Sequence, residues 1–307
     1  MALIEVFFAL VGACVILRCA VWLAHWPMIF FPSVFYPLPE NFFTSMGKWA
    51  VITGGSDGIG KAYAQEFARR GLDVVIISRS KEKLDRAKRD IEISTGAKVI
   101  AIAADFTKGN IYRGIAEKIE DLEVAILVNN VGILPTQIPC KLLETKQLEQ
   151  NINGVINCNV KTMVKMCQII LPGMVKRGRG IILNVSSGMA KIPCPIYTLY
   201  TATKVFVERF SRGLQAEYKS SGILIQVVSP FAVSTQMSGH LKTNLITLSA
   251  EGFVRNSLMH LKAGEQTYGS ISHTILGWVV QAIPTWILRR DAFHHSFQEY
   301  VKKRMGT

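Results

Sequence analysis

No CxxC pair and no zinc-ligand spacing occurs in this 307-residue chain, whose six cysteines fall at 14, 19, 140, 158, 167 and 194. That absence excludes a small zinc module and a disulfide-stapled scaffold. The thiols read as free cysteines facing a reducing compartment, two of them in the N-terminal apolar segment, and no metal site is expected. Acidic charge is scarce, 22 carboxylates against 35 lysines and arginines, for a formal net charge of +13. Such a surplus suits nucleic acid, an anionic membrane surface or a phosphate-bearing ligand. No zinc-finger, basic-zipper or aromatic ribonucleoprotein pattern accompanies it, which argues against nucleic acid. Internal repeats and low-complexity linkers are missing as well. The chain is 49% hydrophobic and 19% charged, a globular composition richer in apolar residues than usual.

Long hydrophobic runs, in contrast, are present. Residues 6–31 read VFFALVGACVILRCAVWLAHWPMIFF, interrupted only by Arg18 and His25. A bilayer needs about 20 apolar residues, so the run is long enough to cross one. A cleaved signal peptide would begin with a basic stretch, whereas Glu5 is the only charge before Arg18. Trp22, Trp26, Phe30 and Phe31 suit a membrane interface. A membrane anchor is therefore expected, with an apolar helix packed on the domain as the alternative. The basic body after it predicts a cytosolic location for residues 48 onward. Arg18 leaves a monotopic or hairpin attachment open beside a spanning one. A second run, ISHTILGWVVQAIPTWIL at 271–288, carries His273, Gln281 and Pro284. It is either in contact with membrane or a helix covering a lipophilic pocket. The chain thus divides into an anchor and linker (1–45), a catalytic domain (46–240) and C-terminal lid or membrane-associated helices (241–307).

From residue 48, short apolar runs alternate with amphipathic stretches. KWAVIT (48–53), DVVIIS (73–78), AKVIAIAAD (97–105), VAILVNN (124–130), GIILNVSS (180–187) and GILIQVVSP (222–230) read as strands, with helical patterns between them. Near-continuous Val/Ile/Leu strands separated by helices predict a parallel sheet covered on both faces, a doubly wound α/β domain of Rossmann type. Ligands of such sheets bind at the C-terminal ends of the strands. TGGSDGIG (53–60) follows the first strand and opens the next helix. In that strand-turn-helix context its residues, Gly54, Ser56, Asp57, Gly58, Ile59 and Gly60, suit a pyrophosphate at a helix N-terminus. The second strand ends IISRSKEK, with no carboxylate for a ribose hydroxyl. Arg79, helped by Ser56, would face a 2′-phosphate instead, so the cofactor reads as NADP(H).

NVSSG (184–188) ends another strand, and YTATK (200–204) opens a helix thirteen residues after Ser187. Carbonyl reduction needs a proton donor and a group to hold the carbonyl oxygen. Tyr200 suits the acid, and Lys204, one turn on, would lower its pKa while touching the nicotinamide ribose. Ser187 would bond the substrate oxygen as negative charge develops. Ser186 points to the other face of the strand and reads as structural.

Together these motifs resemble the short-chain dehydrogenase/reductase family over roughly residues 46–240. TGxxxGxG is met by Thr53, Gly54, Gly58 and Gly60, and NNxG by Asn129, Asn130 and Gly132. The resemblance implies a catalytic Ser187, Tyr200, Lys204 and Asn159, the last supporting a proton relay through water. It also implies adenine contact by Asp105 and further cofactor contacts by Asn130, Val233 and Thr235. One departure stands out: PFAVST (230–235) carries Phe231 where the family has glycine. Within the family the chain resembles a branch, anchored in the endoplasmic reticulum membrane, of enzymes that reduce ketosteroids or very-long-chain 3-ketoacyl-CoA. It implies NADPH-dependent reduction of a 17-ketosteroid such as androstenedione. Reduction of a 3-ketoacyl-CoA, or a catalytically silent lipid-binding scaffold, stand as alternatives. Homodimerisation through helices 144–172 and 198–219 is the family's expectation, and membrane lipid is the other expected partner.

Overall fold

The computed structural model describes residues 2–305, without the side chains of Ala2, Trp22, His25, Arg304 and Met305. The first apolar run forms one helix, α1 (Ala2–Phe30), followed by the single turn α2 (Pro32–Phe35). Among the described residues, Leu3–Phe30 is the one helix long and apolar enough to cross a membrane, with mean hydropathy 2.4. Its side chains are exposed along most of its length. Its last turns are held to the body, where Trp26 lies 4.7 Å from Trp278 between ring centroids.

The next apolar run becomes β1 (Trp49–Thr53), buried throughout, and the glycine-rich turn leads into α3 (Gly58–Arg69). Then come β2 (Asp73–Ser78), α4 (Lys81–Thr95), β3 (Val99–Ala103), α5 (Tyr112–Ile119) and β4 (Val124–Asn129). Ser80 caps α4 by accepting the Lys83 amide, so the chain turns straight from strand end to helix.

The region expected as one helix over 144–172 is broken. Gln147 sits at φ 50°, α6 covers Leu148–Ile156, a π turn spans Asn157–Lys161, and α7 covers Thr162–Arg177. The π turn carries Asn159, whose side chain bonds both backbone groups of Ile133. Such turns insert a residue and re-aim side chains, commonly at functional sites. The chain continues through β5 (Gly180–Val185), α8 (Thr198–Tyr218) and β6 (Ile223–Val228).

All pairings of the main sheet are parallel. Its order is β3-β2-β1-β4-β5-β6 with a seventh strand at the β6 edge. That strand comes from the C-terminal segment, where β7 (Val233–Ser234) pairs with β8 (Leu248–Ser249) before α9 (Ala250–Met259) and β9 (Gln266–Thr267). The expected boundary at residue 240 therefore cuts through the sheet domain, since β9 pairs with β6. The chain ends in α10 (Ile271–Ala282), α11 (Thr285–Leu288) and α12 (Asp291–Met305).

Two apolar layers flank the sheet. One is centred on Ile52, Phe67, Ile76 and Phe253, the other on Val51, Leu127, Met166 and Ile182. Fully buried Tyr63 ties α3 to α9 through a 2.7 Å bond to Ser257, and burial pushes its phenol well up. The strand order reverses direction between β1 and β4, which opens the ligand crevice at their C-terminal ends.

Candidate active site

At that crevice lies one cleft of about 690 Å³, within the roughly 300–1,000 Å³ of ligand sites. One end is the turn after β1. Gly58 there has φ +53°, and a Cβ on Gly60 would run into the carbonyl oxygen of Gly54. Both positions need glycine, and the turn presents backbone rather than side chains to the cleft. Asp57 caps α3, accepting from the Gly58 amide at 2.7 Å. Ser56 donates to Ser78 at 2.8 Å, and exposed Arg79 follows it at the mouth. Asn130 bridges to Thr53 through its side chain at 3.0 Å. Asp105 accepts from the Thr107 amide and hydroxyl, at 3.1 and 2.8 Å.

These residues fit a phosphorylated dinucleotide: a glycine cradle at a helix start, cations at the second strand's end and a carboxylate at the third's. Ile59, Val233 and Thr235 also line the cleft, and Thr235 packs where a Cβ on Gly58 would point. Sequence reasoning missed Lys83. Its ammonium bonds Asp57 at 3.2 Å and reaches Gln236 across the cleft. The signal was Ser80: as N-cap it turns the first helical turn, and Lys83 with it, toward the glycine loop.

Deeper in the cleft stand Ser187, Tyr200 and Lys204, all buried. The two on α8 belong to one inward stripe: Tyr200, Thr203, Lys204, Val207, Glu208 and Ser211 are buried, at helical spacing. The Ser187 hydroxyl lies beside the Tyr200 phenol and favours its ionised form. Ser187 also accepts from the Met189 amide at 3.3 Å. Lys204 donates to Val185 O at 3.0 Å, and its Nζ lies 5.7 Å from the Tyr200 ring centroid. Ser186 points away, donating to Lys204 O at 2.9 Å.

The expected depression of the Tyr200 pKa is not found. Burial pushes the phenol up to about 12, the Ser187 hydroxyl only partly opposing it. Lys204 does not offset this, because it is itself desolvated, and burial brings it down to about 8. Asn159 donates to Thr203 Oγ1 at 3.1 Å and so reaches α8 from the π turn. A void of about 10 Å³ is enclosed by Asn129, Asn159, Lys204 and Thr53 among others, close to the room one water needs.

Beyond Tyr200 the cleft is walled by Leu134, Met189, Tyr197, Leu241, Phe297 and Val301. The last two come from α12, which Gln298 fastens to Pro139 O at 2.8 Å. No motif marked them, because a wall needs only apolar volume.

The short chain dehydrogenase family profile matches residues 48–245. The 17-beta-hydroxysteroid dehydrogenase type 3 of Danio rerio is 64% identical over 99% of this chain and 99% of its own length. The very-long-chain 3-oxoacyl-CoA reductase of Macaca fascicularis is 42% identical over 81% of this chain and 80% of its own. Among solved structures, a short-chain dehydrogenase from Sphingobium yanoikuyae in complex with NADPH superposes with a TM-score of 0.66. It is 27% identical and covers 77% of this chain and 96% of that one.

Proposed function

The chain belongs to the short-chain dehydrogenase family, and from that premise we propose that it is an NADPH-dependent reductase of 17-ketosteroids. Its products would be 17β-alcohols, testosterone from androstenedione being the pattern case. One observation carries the substrate class. Beyond Tyr200 the described cleft lining is mostly apolar, with Gln137 as a polar member, while its cations are Arg79 and Lys83 at the dinucleotide end and buried Lys204 beside Tyr200. A rigid, mostly hydrocarbon ketone suits such a wall, whereas the phosphates of an acyl-CoA would find no cation there. The full-length identity to a relative named as a hydroxysteroid dehydrogenase supports the same reading. The 3-ketoacyl-CoA alternative rests on the more distant reductases. A silent scaffold is disfavoured by the convergence of Ser187, Tyr200 and Lys204 on one cleft.

Bound NADPH would supply the hydride for the carbonyl carbon. Ser187 donates to the carbonyl oxygen as charge builds there, and Tyr200 delivers the proton. Burial keeps that phenol protonated at neutral pH. The Lys204 ammonium favours the phenolate left behind. Asn159 and the neighbouring void favour reprotonation through a water, as the family resemblance implies.

The apolar α1 supports an anchor in the endoplasmic reticulum membrane with the catalytic body in the cytosol. Exposed Val205 and Phe206 on α8 offer an apolar face for a homodimer. Membranes containing the protein, supplied with NADPH and either androstenedione or a long-chain 3-ketoacyl-CoA, test the substrate. Reduction of the steroid supports the reading, and reduction of the thioester alone overturns it.

A further inference from the structure

Two aromatic rings fill the space between the catalytic loop and α10. Phe231 stacks on Tyr268 with ring centroids 5.6 Å apart and planes 20° from parallel. Gly188, the neighbour of Ser187, lies against Phe231, where an added Cβ would meet the ring at 2.5 Å. Gly277 of α10 lies against Tyr268, where an added Cβ would strike that ring. The two rings and two glycines come from four separate segments.

Neither glycine is there for its backbone, since neither has a positive φ. Gly277 even sits inside a helix, where glycine is unfavourable relative to alanine. What each position requires is a bare surface for a ring. The Phe231 backbone is fixed too. Its amide donates to His273 Nδ1 at 3.4 Å, and His273 Nε2 is 2.9 Å from Ile246 O. The Gly188 amide in turn donates to Pro230 O at 2.8 Å, so the loop after β5 and the loop after β6 are laced directly beside Ser187.

Phe231 also lines the cleft. A glycine there would leave the Ser187 loop without its backing. We propose that Phe231 is a positioning residue: clamped between Gly188 and Tyr268, its ring sets the distance of Ser187 from the substrate oxygen and makes α10 part of the active-site frame. The proposal rests on the reading of Ser187 as the carbonyl-oxygen donor.

The test is a double-variant cycle of Gly188→Ala and Phe231→Gly, each followed by kcat, the KM values for ketone and NADPH, and the melting temperature. A displacement of Ser187 by a fraction of an ångström to 1 Å corresponds to a loss of about tenfold to a hundredfold in kcat. Each single variant is expected to lose about tenfold or more, with a smaller change in the KM for NADPH. The pair together is expected to lose no more in kcat than Phe231→Gly alone, recovering the separate Gly188→Ala penalty, because the new methyl then has room. Recovery cannot come from a variant that fails to fold. Multiplicative kcat losses without recovery, or melting shifts with kcat intact, would overturn the positioning role. If the unmodified protein reduces neither ketone, the functional reading and the role fall together. If it is active and Ser187→Ala costs nothing, the Ser187 assignment and the positioning role fall while the functional reading stands.

Discussion

Lys204 donates from Nζ to the carbonyl oxygen of Val185 at 3.0 Å, tying α8 to the end of β5 two residues before Ser187. The ammonium is thus a brace between the two elements that carry Tyr200 and Ser187, and in the proposed reaction it also favours the phenolate that Tyr200 becomes. Removing it takes away both functions. Lys204→Met is expected to lose about 10²–10⁴-fold in kcat, the range of acid-base assistance. Lys204→Arg should not restore the rate, because a planar guanidinium cannot replace a compact ammonium under Val185. Steady-state kinetics on both variants check this, and a rate within twofold of the unmodified enzyme would contradict it.

The pH profile follows from the same pair. Tyr200 must hold its proton to deliver it, and burial keeps it there up to about 12. Lys204 loses its proton near 8, so ketone reduction is expected to be level below that pH and to fall above it. The stability effect has the opposite slope. The folded pKa of Lys204, about 8, lies below the ordinary 10.5, so between those values the unfolded chain binds more protons. There the Lys204 contribution makes folding more favourable as pH rises. Denaturant melts of unmodified enzyme and Lys204→Met at several pH values within that window should show the unmodified protein gaining on the variant. A constant difference would contradict the assignment.

Cofactor choice is expected to be set at the end of β2. Charge-assisted hydrogen bonds contribute about 1.5–3 kcal/mol each, or about 10–100-fold in affinity. Arg79→Glu and Lys83→Glu are each expected to raise the KM for NADPH by about that factor and to leave that for NADH nearly unchanged. Kinetics with the two cofactors decide it, and an equal rise for both would remove these residues from 2′-phosphate recognition.

What the sequence made legible depended on what each feature demands of residue type. β1, β2, β4 and β6 were visible because strands buried on both faces need unbroken Val/Ile/Leu runs. The glycine loop was visible because only glycine tolerates the approach of Gly60 to Gly54. The YTATK spacing put Tyr200 and Lys204 one helical turn apart, and the structure extends that buried stripe to Ser211. By contrast, β9 is two residues long, too short for any periodicity. The break at Gln147 and the π turn at Asn157–Lys161 were hidden inside residues that all tolerate a helix. Phe231 was visible as a departure from the family pattern, but Tyr268 and Gly277, which explain it, carry no motif. The pKa of Tyr200 went the other way from expectation because a pair of residues in sequence says nothing about desolvation.

The anchor makes a separate prediction. α1 exposes Leu3, Phe7, Phe8, Leu10, Ile16 and Leu17, more apolar surface than a soluble protein leaves uncovered. The protein is expected to stay in the membrane pellet after an alkaline carbonate wash. Removal of residues 2–30 should release it or leave it aggregated, with the contact of Trp26 to Trp278 lost. Full release of the intact chain by carbonate would contradict membrane integration.

The most direct test of the central claim is the reduction of androstenedione by NADPH in membranes carrying the unmodified protein or Tyr200→Phe, with NADPH binding followed in parallel. The account predicts testosterone formation that drops by about 10²–10⁴-fold in the variant while NADPH binding persists. Undiminished reduction by Tyr200→Phe would contradict the assignment of the proton donor, and with it the chemistry assigned to the cleft.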